Sequence, residues 1–248
     1  MKKILFEAPV YTLEAALLAV ENGVDRLELC ADFGEGGTTP SLGLFKVIKR
    51  KVNVSVFVMI RPRGGDFVYS SSEIEVMKED IHSFLDNGAD GFVFGILNNM
   101  GEVNKTHCEE LIQIAGDKPC TFHRAFDVAL DKKAAMKEIV GLGFKRILTS
   151  GGENKVKEGL PLLLDLIQHA KDKIIILPGG GLKLEDIVTL DKAGGLREIH
   201  ASCKKFRPSS MLASNEHLKL SLMEETEGMV LTVDPDLMKE FADGLKKI

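Results

Sequence analysis

The stretch DRLELC, Asp25 to Cys30, decides how this chain folds. In an extended strand successive side chains alternate between faces. Leu27 and Leu29 therefore share one face, and Glu28 and Cys30 share the other. Just before it, Leu13, Ala16, Leu17 and Val20 fall at i, i+3, i+4 and i+7, one face of a helix. Working outward, the same alternation of a short apolar run and a helix-spaced stretch recurs eight times. The predicted strands are Lys3–Glu7, Asp25–Cys30, Asn53–Arg61, Asp90–Leu97, Lys118–Arg124, Arg146–Ser150, Lys173–Leu177 and Leu196–Ser202. Alternating strands and helices imply parallel pairing, because each crossover must carry the chain back over the sheet. Eight such units in 248 residues predict a closed (β/α)8 TIM barrel of the α/β class, one domain spanning 1–248.

Local signals add detail. Ser72 and Glu75 fit a capping-box pattern, with Ile74, Met77, Ile81 and Phe84 as the buried stripe that follows. Asp234 before Pro235 predicts the start of a last helix whose apolar face is Leu237, Phe241 and Leu245. Residues 203–231 lack a clean period and read as an extended loop over one end of the barrel, carrying no more than a short helix or strand.

Composition narrows the function. An apolar share of 44% and a charged share of 28% are those of an ordinary globular domain. A net charge of −5 argues against nucleic acid as a partner. The first apolar run stops at Glu7 and Pro9, too short for a signal-peptide core. No segment approaches the ~20 apolar residues that span a bilayer. The expectation is a cytoplasmic protein with neither membrane nor nucleic acid as partner. Cys30, Cys108, Cys120 and Cys203 form no CxxC pair and read as free thiols. There is no GxGxxG after the first strand, no Walker sequence and no HExxH, so no organic cofactor is indicated.

Barrel chemistry belongs at the C-terminal ends of the strands. By face parity Glu28 and Cys30 look into the barrel mouth, as do Glu198, His200 and Ser202. Glu7 ends the first predicted strand, Arg61 the third, and His123 with Arg124 the fifth. Closure would bring Glu7, Glu28, Arg61, His123, Arg124 and His200 to one opening. So many charges are costly to bury unless they pair, and Glu7 or Glu28 with Arg61 or Arg124 is the structural alternative. Arg61 and Arg63 flank Pro62, with Asp66 beyond; this loop suits a carboxylate or phosphate, or is simply an Arg–Asp bridge. Ser150 and Gly151 follow the sixth strand, and Gly179 and Gly180 the seventh, where free backbone N–H groups can cradle an anion or merely make a turn.

The motifs that carry these residues are recognisable. Arg26-Leu27-Glu28-Leu29-Cys30-Ala31 is followed by Glu35-Gly36-Gly37 and Thr39-Pro40-Ser41, then by Met59-Ile60-Arg61-Pro62-Arg63-Gly64-Gly65-Asp66-Phe67. Phe122-His123-Arg124-Ala125-Phe126-Asp127, Ile147 to Gly152, Pro178 to Gly181, and Glu198-Ile199-His200-Ala201-Ser202 complete the set. From about Glu7 to Ser202 the chain resembles the CutC family, proteins named for copper homeostasis. That resemblance implies a TIM barrel, a cytoplasmic location and Cu(I) binding through cysteine. Cys30 lies within a strong motif, and Cys203 follows the eighth strand, so these two are the candidate thiolate ligands. A homodimer is also plausible from the resemblance.

Two classes of function stay open. One is a Cu(I)-binding homeostasis protein. The other is a barrel enzyme for a small anionic substrate, with Glu28 or His123 as acid or base. Arg61 and the glycine loops would then hold the anion, assisted by Glu7, Arg63, Asp66, Arg124, His200 and Ser202. A weaker third reading is a divalent-metal enzyme using Glu28, His123 and His200.

Overall fold

The structure, a computed structural model, describes residues 4–211, 217 and 226–248. In chain order it runs β1 (Leu5–Val10), α1 (Leu13–Glu21), β2 (Arg26–Leu29), a 3-10 turn (Phe33–Glu35), α2 (Leu42–Lys51), β3 (Ser55–Met59), α3 (Ser71–Asp86) and β4 (Gly91–Phe94). Then come α4 (Lys105–Ala115), β5 (Cys120–Phe122), α5 (Ala125–Val128), α6 (Lys132–Leu142), β6 (Arg146–Thr149), α7 (Val156–Ala170), β7 (Ile175–Pro178), α8 (Leu184–Lys192) and β8 (Glu198–His200). The chain ends with β9 (Lys204–Pro208), β10 (Met229–Val233) and α9 (Pro235–Leu245).

Eight parallel strands pair in the order β7-β6-β5-β4-β3-β2-β1-β8. A parallel bridge between Gly179 and His200 closes the ring. That seam needs a glycine: a Cβ on Gly179 would lie 3.0 Å from the Cβ of His200 and 2.6 Å from Leu148. The fold is the expected (β/α)8 barrel.

Local expectations fare unevenly. The stripe of Ile74, Met77, Ile81 and Phe84 is buried on α3 as its spacing predicts, and Asp234 caps α9. The capping box is made instead by Ser70 and Glu73, two residues earlier, because Ser70 has the extended backbone a cap requires. On α9 the buried face is Met238, Phe241 and Ala242, while Leu237 is exposed. Glu7 does not end its strand; β1 continues through Pro9 to Val10 and Glu7 lies mid-strand. Within the predicted loop 203–231, β9 and β10 pair as an antiparallel ribbon. The rest of that expected loop, 212–216 and 218–225, and Lys3 of the first predicted strand lie outside the described residues.

Face parity divides the interior in two. Leu27, Leu29, Val56, Val58, Phe92, Phe94, Phe122 and Ile199 belong to the large cluster between sheet and helices. The alternate residues face the barrel axis. One side of that axis is apolar, with Cys30, Phe57, Met59 and Val93 in a cluster of their own. The other side is ionic. Arg26 donates from Nε to Glu7 at 2.5 Å and from a terminal nitrogen to Glu198, which also accepts from Arg146 Nε at 3.0 Å. All four are nearly or wholly buried. The guanidinium carbons of Arg26 and Arg146 lie 4.7 Å and 5.0 Å from the centre of the Phe57 ring.

Removing one member of such a network leaves charge buried without a partner. Arg26→Met, which keeps the bulk, is expected to destabilise the fold by about 3–5 kcal/mol in urea titrations at pH 7. A loss below about 1 kcal/mol, the scale of an exposed pair, would show that Glu7 and Glu198 do not depend on Arg26.

Candidate active site

Parallel strands end together, and the residues at and beyond their C-terminal ends enclose a cavity of about 570 Å³. Glu28, Arg61, His123, Arg124, Gly180, His200 and Ser202 all line it, as the sequence predicts. Glu7 sits beneath, fully buried.

One wall is acidic. His200 places Nδ1 at 2.8 Å from Glu7 Oε1 and Nε2 at 3.9 Å from Glu28 Oε2. Burial pushes the Glu7 carboxyl up, but Arg26 and His200 outweigh it and bring the pKa down to about 2. Burial also works against a charged His200, yet Glu28 and Glu7 more than compensate and raise its pKa. His200 thus donates Nδ1–H to a carboxylate that stays ionised. Glu28 is the opposite case. Burial, with Glu7 adding to it against the pull of His200, lifts its pKa to about 7. Its Oε1 is buried and has no hydrogen-bond partner, and its Oε2 accepts from the Cys30 thiol at 3.6 Å.

Other lining residues present donors. Arg61 does not pair with Glu7 or Glu28, which corrects one reading of its role. Its terminal nitrogens donate to backbone carbonyls of Glu35 at 2.5 Å, Gly37 at 3.0 Å and Gly65 at 2.9 Å. Its Nε is buried without a partner. His123 accepts at Nδ1 from the Ala125 backbone N–H at 3.2 Å, so its proton belongs on Nε2. That Nε2 is also buried without a partner. Burial, aided by Arg61, lowers the His123 pKa to about 3. His123 is therefore a neutral donor at pH 7, neither the base nor the cationic acid its residue type suggested.

Other expected site residues lie elsewhere. Arg63 is held outside the cavity by Glu73 at 2.5 Å and Asp66 at 3.0 Å, the plain Arg–Asp bridge. Ser150 is buried, bonded to Asp127 at 3.0 Å and Arg124 at 2.8 Å. Gly151 packs against the backbone of Gly159. Neither these two nor Gly179 lines the cavity; Gly180 and Gly181 do. The two thiols part company. Cys30 lies in the barrel interior, whereas Cys203 packs in the sheet–helix layer with burial pushing it up to about 12. For a cation, the described residues offer Glu7, Glu28 and His200, whose ligand atoms lie within 4.8 Å of one another. His123 is not among them. Glu7 already accepts from Arg26 and His200, so it orients the histidine rather than offering a free oxygen.

A model of the CutC family matches residues 4–205. The chain belongs to the CutC family. A human relative, named copper homeostasis protein cutC homolog, is 46% identical over 87% of this chain and 79% of its own length. A CutC family protein of Treponema denticola is 41% identical over 87% of each chain. The solved CutC structure from Streptococcus agalactiae superposes with a TM-score of 0.75 at 34% identity, over 79% of this chain and 97% of that one.

Sequence reasoning missed Arg26 and Arg146, although parity was available: Arg26 shares its face with Glu28. It also missed the outer lining, Tyr11, Phe33, Lys155 and Lys204. Phe33 meets Tyr11 edge-on at 5.5 Å and carries Lys204 Nζ 4.5 Å over its ring. These contacts depend on loops from three places in the chain, which no periodicity reports.

His123 titrates lower in the fold than its ordinary 6.5, so the stability it contributes is full above pH 6.5 and is lost as pH falls toward 3. Subtracting the stability–pH curve of His123→Gln from that of the wild type should leave a component that declines over this window. A flat difference would show that His123 protonates freely in the folded protein.

Proposed function

We propose that this CutC-family barrel is an enzyme acting on a small anionic substrate by acid–base chemistry. Glu28 is the general base and Arg61 with His123 holds negative charge. One observation carries the reading: Glu28, whose buried Oε1 has no hydrogen-bond partner, lines the same cavity as Arg61 and His123, each of which keeps a buried N–H without an acceptor. A base whose pKa lies near the working pH combines a usable ionised fraction with a real appetite for the proton. Glu7 orients His200 and favours its charged form, which pulls against the rise in the Glu28 pKa. Lys155 and Lys204 add positive charge around the cavity, while Arg124 there is paired with Asp127.

Anion binding is tested by thermal shift with phosphate, sulfate and small carboxylates. The wild type should be stabilised. Arg61→Ala should melt lower in every buffer, because it loses three backbone carbonyl contacts, and should also lose the anion-dependent increment. A charge-assisted hydrogen bond contributes roughly 1.5–3 kcal/mol, so affinity should fall by about one to two orders of magnitude. An unchanged increment in Arg61→Ala places the anion elsewhere, and no increment in the wild type removes the support for an anionic substrate.

Copper homeostasis, named for the relatives, is the second reading, with Cu(I) bound in the cytoplasm as cargo. Cys30 favours it. A side-chain carbon on Gly37 would lie 3.3 Å from Cys30 Sγ and 3.5 Å from Met59 Cε, so a thiol and a thioether border the same spot. Both are soft ligands suited to Cu(I). Against it, burial and the neighbouring Glu28 push the Cys30 thiol well up, so the thiolate must be made at the expense of a held proton. Anaerobic Cu(I) titration against a competing chelator should show binding that Cys30→Ser weakens and Cys203→Ser leaves intact. Equal affinity in wild type and Cys30→Ser would rule out this site.

A further inference from the structure

Buried donors without acceptors are rare in folded proteins, because each one forfeits the hydrogen bonds it had in water. Two residues that line this cavity carry one each. Arg61 Nε–H is left over after the terminal nitrogens have been spent on backbone carbonyls. His123 Nε2–H is left over because Nδ1 already accepts from Ala125. Both groups are braced by one ring: the guanidinium carbon of Arg61 lies 4.9 Å from the centre of Phe67, and the imidazole centre of His123 lies 4.9 Å from it too. Behind His123 the chain comes very close, since a Cβ on Gly95 would sit 2.8 Å from Nδ1. The imidazole is thus fixed in place and in tautomer.

We infer that Arg61 Nε and His123 Nε2 form a cradle for a carbonyl oxygen, and that the substrate is a small anionic compound with a hydrogen on the carbon next to that carbonyl. This rests on the reading of Glu28 as base, which lines the same cavity and whose buried Oε1 has no hydrogen-bond partner. A cation binds any anion, but a neutral N–H beside it suits an oxygen that is uncharged in the ground state and becomes charged during reaction. A neutral imidazole in that role gives a hydrogen bond without adding a second full charge. The step balances as a proton transfer. The C–H bond breaks, its proton passes to Glu28, its electron pair forms the C=C bond, and the carbonyl π pair moves onto oxygen. The oxyanion accepts from Arg61 and His123. Returning the proton to the same or the neighbouring carbon gives exchange, epimerisation or isomerisation, with no oxidant or co-reactant required.

Oxalate is the probe, being planar and doubly anionic like the enolate of an α-oxo acid. Nitrogen-15 NMR of the wild type at pH 7 should show His123 neutral with its proton on Nε2, and oxalate should move that N–H proton downfield. Calorimetry should show His123→Phe, which fills the space without a donor, binding oxalate about tenfold or more weakly, with His123→Gln recovering part of the loss. Phosphate affinity should change much less. A proton found on Nδ1, or oxalate binding that is equal in His123→Phe, overturns the cradle while leaving an anion site at Arg61. Wild-type protein that binds phosphate but not oxalate overturns it too. Protein that binds neither overturns the anionic-substrate reading along with it.

Discussion

The Arg26 guanidinium, buried between Glu7 and Glu198, is the contact on which the site depends. It keeps Glu7 ionised in a place where burial alone would protonate it. An ionised Glu7 fixes the Nδ1–H of His200 and helps raise its pKa, and Nε2 of the same ring faces Glu28. Glu28 has no arginine of its own. Its pKa is set by burial and Glu7 pushing up and by His200 pulling down. Two carboxylates a strand apart are thereby driven to about 2 and about 7. Such divergence leaves one group ionised throughout the neutral range and the other titrating within it.

The barrel interior is correspondingly unusual. Layers of branched aliphatic side chains are the common filling. Here Cys30, Phe57, Met59 and Val93 supply an apolar side, and Glu7, Arg26, Arg146 and Glu198 set ion pairs beside it. Phe57 is the seam, with its ring under two guanidinium groups. Buried ion pairs seldom stabilise more than well-packed apolar groups of equal volume. What these pairs do set is the charge beneath the cavity: Arg26 holds Glu7 ionised, and Glu7 in turn contacts His200.

Much of this was legible. Leu27 and Leu29 against Glu28 and Cys30 gave the parity of β2, and parity is set by backbone geometry that nothing later in folding overrides. The eight alternating units likewise imply the closed ring. What escaped the sequence was partnership. Arg61 and Arg63 stand two residues apart in one motif, yet only Arg61 enters the cavity, because Arg63 meets Glu73 on the N-terminal turn of α3. Cys30 and Cys203 both follow strands, but Cys203 turns into the sheet–helix layer. His123 has the residue type of a base, and only its contact with Ala125 and its burial reveal a neutral donor. Strand position is a local property; protonation state belongs to the neighbours.

The two functional readings meet at Glu28 and are not independent. The Cys30 thiol donates to Glu28 Oε2 at 3.6 Å, so each group's proton is felt by the other. Ionising both would set two anions side by side in a buried space, at a cost unless a cation joins them. Cu(I) on Cys30 would supply that cation, and would hold Glu28 as a carboxylate next to the metal. In the metal-free state Cys30 instead keeps its proton and leaves Glu28 free to take one. A thiol and a carboxyl that share one contact cannot be tuned independently, so a change at either residue alters the proton affinity of the other.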